Sequence, residues 1–163
     1  MFCIEGIEID LLNGQRALIF PKYSEEKLLE SDQTDKWNGR ALSEIEALKV
    51  EDTISETVAL FNLGSPAANW VLLFVAKDRR QFSLPSLLAA MEIQHQKEEI
   101  DALAETIEGA DLLRDFTSGV WSCSRSGAYL GWIAYGSGGY AGGGYLGSAG
   151  LAVPTILYRE EEI

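Results

Sequence analysis

The chain has 163 residues, 47% of them hydrophobic and 23% charged, and a formal net charge of −12 at pH 7. A chain of that length buries roughly two thirds of its unfolded surface, so one domain, 1–163, holds a core without metal or disulfide staples, and the composition excludes wholesale disorder. Residues 1–116 hold 22 acidic and 11 basic side chains, which disfavours nucleic acid or an anionic membrane surface as partner, since either is repelled over most approaches.

Residues 2–12 are rich in β-branched and apolar types, Asn13-Gly14 is a two-residue turn signal, and 17–20 runs back. A hairpin with a type I′ turn is expected, ended by Pro21. From 24 to 49 the pattern is polar and mixed, with short helices expected at 24–30 and 43–49, the second opened by Ser43 and Glu46 at capping-box spacing. Two apolar runs, 57–63 and 70–76, flank Gly64-Ser65-Pro66, and their length and breakers predict a strand pair.

Pro85 suits the first turn of a helix whose apolar face is Leu87, Leu88 and Met91. A second helix is expected from about Lys97, with Ile100, Leu103 and Ile107 on one face and Gly109 as its stop. Its early Glu98, Glu99 and Asp101 favour the helix dipole. The domain thus divides into an N-terminal hairpin with strands (1–80), a helical pair (81–116) and a strand-loop region (117–158).

That last region carries one charged side chain, Arg125, and eleven of the sixteen glycines. Trp121, Tyr129, Trp132, Tyr135, Tyr140 and Tyr145 are set into the glycine, serine and alanine background. Tyr and Trp give rigid contact area for two torsions each, while Ser and Gly adapt to a partner, so the composition is that of a recognition surface. Short strands are expected at 119–124, 130–135 and 151–158. Alternation puts Trp132 and Ala134 on one face, Ile133 and Tyr135 on the other, with Trp121 and Trp132 expected in the core.

Catalytic and metal sets find little support. Cys3 and Cys123 have no metal-ligand spacing and His95 is the one histidine, so no usual zinc set assembles; both thiols read as buried hydrophobes, a disulfide between them requiring an oxidising compartment. Ser122 and Ser124 lie outside any G-x-S-x-G elbow. Gly138-Gly139 and Gly142-Gly143-Gly144 lack the lysine of a phosphate loop. Without Asp, Glu, Asn or Gln between 117 and 158, a calcium-mediated sugar site there has no ligands. No cofactor is expected.

The run Phe82-Ser83-Leu84-Pro85-Ser86, then Glu99-Ile100-Asp101-Ala102-Leu103 and Glu108-Gly109, resembles the R-L-P-T … D-E-I-N-A-L … G-G part of a bacterial and phage domain family. Val120-Trp121-Ser122-Cys123-Ser124, Gly131-Trp132 and Val153-Pro154 are similar to that family's W-S-S-[ST], A-W and V-R-P elements in the same order, about half the chain in all. Arg125 stands where the family has an acidic residue, and Val153-Pro154 lacks the arginine. The family is C-type-lectin-like, of the formylglycine-generating-enzyme-like branch, which includes variable ligand-binding proteins of diversity-generating retroelements.

The resemblance implies an α+β fold, with two helices packed on small antiparallel sheets, a hairpin closing the chain ends together, and a Gly/Tyr-rich carboxy-terminal strand-loop region. It implies a non-enzymatic, ligand-binding module whose partner is set by loop residues. The displayed set is expected to be Arg125, Tyr129, Leu130, Ile133, Tyr135, Tyr140, Tyr145 and Leu146, facing a protein or glycan. The competing readings are a structural virion or surface subunit that self-associates through the same patch into a homo-oligomer, and a formylglycine-generating-like oxidase, for which Cys3 and Cys123 are a poor pair. With no membrane-length apolar stretch and no basic-then-apolar leader, the expectation is synthesis in the cytoplasm without membrane insertion, with display on a virion or cell surface open.

Overall fold

In the computed structural model, which describes residues 6–29, 41–127, 129–136 and 138–159, the chain opens as a hairpin of β1 (Ile7–Asp10) and β2 (Arg16–Ile19). Ile7 and Ile9 are buried, and Glu8 and Asp10 alternate with them on the exposed side. The turn is not type I′. Asp10 pairs with Arg16, Leu11 N–H donates to Gln15 at 2.9 Å, and Gly14, alone in the turn, is left-handed at φ 83. This is a three-residue connection with a glycine bulge; Asn13 caps it instead, its side-chain oxygen accepting from Gln15 N–H at 3.1 Å. The expected strand residues 2–5, with Cys3, lie outside the described residues.

The far end of the chain returns to this hairpin. β8 (Thr155–Tyr158) pairs antiparallel with β2, giving the order β1-β2-β8. A five-stranded sheet has the order β3 (Ser24–Lys27), β7 (Ala149–Ala152), β4 (Val120–Arg125), β5 (Leu130–Tyr135), β6 (Tyr140–Tyr145), with β4 and β7 parallel and the other neighbours antiparallel. The single strand expected at 151–158 is therefore two, one in each sheet. Val153-Pro154 makes the step between them, and Pro154, lacking an N–H, still accepts from Phe20 N–H at 3.0 Å.

Two segments take the other secondary structure. Residues 24–27 form an edge strand, not a helix, because pairing with β7 and the Glu26 carbonyl's bond from Trp121 Nε1 at 2.9 Å override a weak local preference. The expected strand pair is a pair of helices, α2 (Thr53–Asn62) and α3 (Pro66–Leu72), following α1 (Glu44–Leu48). Each has a cap: Asp52 accepts from Ser55 N–H and Ser65 from Ala68 N–H, both at 3.1 Å, with Pro66 in the first turn of α3. Thr53, Thr57 and Leu60 supply the helical stripe that is buried, and Gly64, at φ 85, separates the two. The capping box at Ser43 and Glu46 forms as expected.

α4 (Leu87–His95) is capped by Ser86, so Pro85 precedes the cap and its carbonyl accepts from Cys123 N–H at 2.9 Å. α5 (Lys97–Ala104) buries Ile100 and Ala104 rather than Leu103, and ends before Gly109, which is left-handed at φ 82 in the following turn. Asp101 is buried and accepts from Leu113 N–H at 2.6 Å and Arg114 N–H at 3.0 Å, opening a 3-10 turn at Leu113–Asp115. Asp101→Ala leaves both donors unpartnered and is expected to cost about 2–4 kcal/mol, read by urea unfolding; a loss below about 1 kcal/mol would contradict this anchoring role.

The five-stranded sheet is covered on both faces. Val120, Ala134 and Leu151 pack with Ala90 and Ile93 of α4, Ile100 of α5 and the first hairpin. Trp121, Cys123 and Ala152 pack with Leu60 of α2, Ala67 and Val71 of α3, and Leu28. That two-sided cover buries all six residues of β4. Of the outer strands, β5 keeps Ile133 and Ala134 within that cover, whereas β6 leaves Tyr140, Gly143 and Tyr145 exposed.

Candidate recognition surface

β5 and β6 pair without a break from Leu130↔Tyr145 to Tyr135↔Tyr140. Cross-strand partners share a face, so Gly131, Ile133 and Tyr135 lie with Gly144, Gly142 and Tyr140, while Leu130, Trp132 and Ala134 lie with Tyr145, Gly143 and Ala141. Trp121 of β4, opposite Ile133, reaches the first face. A Cβ at Gly144 would stand 3.1 Å from Trp121 Cη2, and one at Gly142 would stand 2.7 Å from Tyr135 Cε1. Aromatic rings lie close over the strand at both glycines, so a side chain there must displace them.

The four tyrosines of this region are exposed: Tyr129 59%, Tyr135 49%, Tyr140 64% and Tyr145 70%. They fall into two groups. Tyr135 and Tyr140 are neighbours at the turn end, ring centroids 6.2 Å apart and planes at 42°. Tyr145 lies on the opposite face and five residues further along β6, about 17 Å at strand rise; Tyr129, whose carbonyl accepts from Leu146 N–H at 3.0 Å, is at that same end. Tyr135 and Tyr140 also shield glycine, the first over Gly142 and the second beside Gly138. No such glycine lies under Tyr129 or Tyr145 among the described residues.

Two of the expected displayed residues are not on the surface. Leu146 is 1% exposed and packs with Trp121 and Leu28, held by its bonds to Tyr129 and to Leu29 N–H at 2.9 Å. Arg125 is 8% exposed, ends the covered strand β4 and donates from Nε to the Gly127 carbonyl at 2.7 Å; burial lowers its pKa from the usual guanidinium value. Leu130 and Ile133 are half-buried, Ile133 against the core beside Trp121. Trp121 is wholly buried as expected, whereas Trp132 is half-buried and donates from Nε1 to the Leu42 carbonyl at 2.8 Å.

β6 itself was not expected, because its three glycines lack strand propensity. The signal that reveals it is the spacing of Tyr135 and Tyr140 about a turn whose Gly136 and Gly139 have φ of 73 and 68, closed by Gly139 N–H to the Gly136 carbonyl at 3.0 Å. That turn is seated on α4, with Gly139 against the Met91 carbonyl and His95 Cβ.

His95 borders a groove of about 580 Å³ with Gln94, Lys97, Glu98, Glu105 and Arg114. Among the described residues no group of three His, Cys, Asp or Glu is placed to hold a metal ion, and no helix is long and apolar enough to cross a membrane. Ser122 and Ser124 are buried in β4, Ser122 Oγ donating to the Trp132 carbonyl at 2.8 Å.

Cys123 is sealed beneath α2, and burial, helped by nearby Glu56, pushes its thiol up to about 12. A raised value means the protonated thiol's contribution to stability is full below the unfolded pKa, near 8.5, and is lost as pH rises through about 12. Iodoacetamide at neutral pH is therefore expected to spare Cys123 in the native protein and label it on unfolding, as peptide mass spectrometry would read; native labelling at the unfolded rate would contradict the burial.

No protein-family model, curated protein or solved structure matches this chain. The hairpin is a neutral, aromatic strand pair in an acidic chain, with no His, Cys, Asp or Glu from Tyr129 to Leu146.

Proposed function

We propose that the chain is a non-enzymatic recognition module of C-type-lectin-like architecture whose β5–β6 hairpin offers tyrosine to a protein or glycan. The observation that carries the reading is the exposure of four rings, between 49% and 70%, on a hairpin free of charge in a chain of net charge −12. Large rings left in water on a rigid sheet are the usual anchors of an interface. The lectin-like part is supported by β8 returning to β2, which brings both ends of the described chain into one sheet, and by the consecutive helices α4 and α5 packed near the second sheet.

Within the tyrosines, Tyr129 and Tyr145 are the stronger anchors, since Tyr135 and Tyr140 already cover glycine. Retroelement diversification belongs to the same proposal and would act at exposed positions, sparing Leu146 and Arg125. Display on a virion or cell surface belongs to it as well.

A labelled sample on glycan and peptide arrays tests the binding. Exchanging Tyr129 and Tyr145 together for serine is expected to weaken a retained spot by about thirtyfold or more, as loss of a hot spot does. Exchanging Tyr135 and Tyr140 should weaken it less. Binding that survives both double variants at unchanged melting temperature would overturn the proposal. At the source locus, a near-identical repeat differing mainly at adenines would support diversification, and its absence would remove that part.

A further inference from the structure

We propose that the outer edge of β6 pairs antiparallel with β6 of a second copy, joining the two five-stranded sheets into one continuous sheet. The inference does not depend on what the tyrosines bind.

Main-chain groups of β6 divide into those already bonded and those facing outward. Leu146 N–H donates to the Tyr129 carbonyl, and hydrogen-bonded pairs alternate along an antiparallel ladder. Gly144, Gly142 and Tyr140 therefore direct their N–H and C=O groups to β5, and Ala141 and Gly143 direct theirs outward. The other side of β5 agrees: the Leu130 and Trp132 carbonyls, of the alternate parity, accept from Ser126 N–H at 2.9 Å and Ser122 Oγ at 2.8 Å on the β4 side. β6 is the last strand of its sheet, and Gly143 is exposed.

Sheet edges are normally guarded against pairing by charge, proline, a bulge or a covering segment. Three of the edges here are. β3 carries Glu25, Glu26 and Lys27; β1 carries exposed Glu8 and Asp10; β8 is covered at Thr155, whose N–H and C=O both bond Ser83 at 2.9 Å. β6 has no charge, no proline and an unshifted register.

The edge is self-complementary. A two-fold axis through Gly142 sets Ala141 opposite Gly143 of the partner subunit, so that these residues exchange both N–H···O bonds, and symmetry repeats the exchange. The same register sets Tyr140 opposite Gly144 of the partner subunit on one face, a large ring over a position without a side chain. Net charge −12 makes two copies repel, least along the segment 117–158 where Arg125 is the one charge. One unguarded edge per copy among the described strands closes as a dimer and does not propagate.

Sedimentation velocity of the full chain over a micromolar concentration series tests this. The unmodified chain is expected to shift from monomer to dimer, more completely at high salt because salt screens the repulsion. Ala141→Pro removes an outward donor from each copy while leaving the bonds to β5, and is expected to weaken dimerisation by about tenfold or more with the melting temperature nearly kept. Gly142→Pro, which breaks a bond to β5, should lower the melting temperature. Ala141→Lys installs the missing guard charge and should also give a monomer. Hydrogen exchange is expected to show Ala141 and Gly143 amides slowing as concentration rises, with Gly142 and Gly144 slow throughout. A monomer at every concentration, whether its Ala141 and Gly143 amides are fast or slow, would overturn the proposal, as would a dimer that both Ala141 variants leave intact.

Discussion

Trp121→Ala is expected to destabilise the protein by about 3–5 kcal/mol, the range for truncating a large buried ring. The site favours the upper end. Trp121 is fully buried, and the backbone it lies on belongs to Gly131, Gly144 and Gly150, which have no side chains to relax into the space left behind. Its Nε1 also supplies the bond to the Glu26 carbonyl that ties β3 to the sheet. Trp121→Phe retains much of the packing but leaves that carbonyl without its donor, and should cost about 1–3 kcal/mol. Urea unfolding checks both; a loss under about 1.5 kcal/mol for the alanine variant would contradict this account of the glycines.

Gly139→Ala is the second large effect. At φ 68 any side chain costs about 1–2 kcal/mol, and here a Cβ would also fall inside contact distance of the Met91 carbonyl oxygen. Backbone cannot give way as a flexible side chain can, so the hairpin turn must lift from α4. A loss of about 3 kcal/mol is expected, with faster amide exchange along β5 and β6. Gly147→Ala is the control: its Cβ would meet nothing within 4 Å and its φ is not in the left-handed region, so a change within about 0.5 kcal/mol is expected. Equal losses at the two positions would contradict the docked turn.

Local signals predicted those elements whose cause is local. Ser43 and Glu46 cap a helix because the two bonds involve neighbours four residues apart at most; α4, α5, β4 and β5 likewise follow from periodicity and breakers. α2 and α3 carry β-branched residues that favour strands, but the caps Asp52 and Ser65, whose bonds decide the start of each helix, outweigh them. β3 and β6 are strands because of partners distant in sequence or across a glycine turn, and their own residues prefer neither state.

The candidate surface divides along the same line. Exposure of the tyrosines was legible in a charge-free, glycine-rich composition, because rings without room in a core stay outside. Their division into two groups was not, since it depends on the register set by the turn at 136–139. Leu146 is buried against Leu28 and Trp121, and the Arg125 carbonyl accepts from Leu42 N–H, contacts with segments remote in the chain that local sequence does not announce.

If the rings of this hairpin face water, graded nitration with tetranitromethane, read by peptide mass spectrometry at a dilution where the chain is monomeric, will show it. Tyr129, Tyr135, Tyr140 and Tyr145 are predicted to nitrate readily, and Tyr23 and Tyr158, each 5% exposed, to resist until the protein unfolds. Resistance of Tyr129 and Tyr145 in the folded monomer would contradict it.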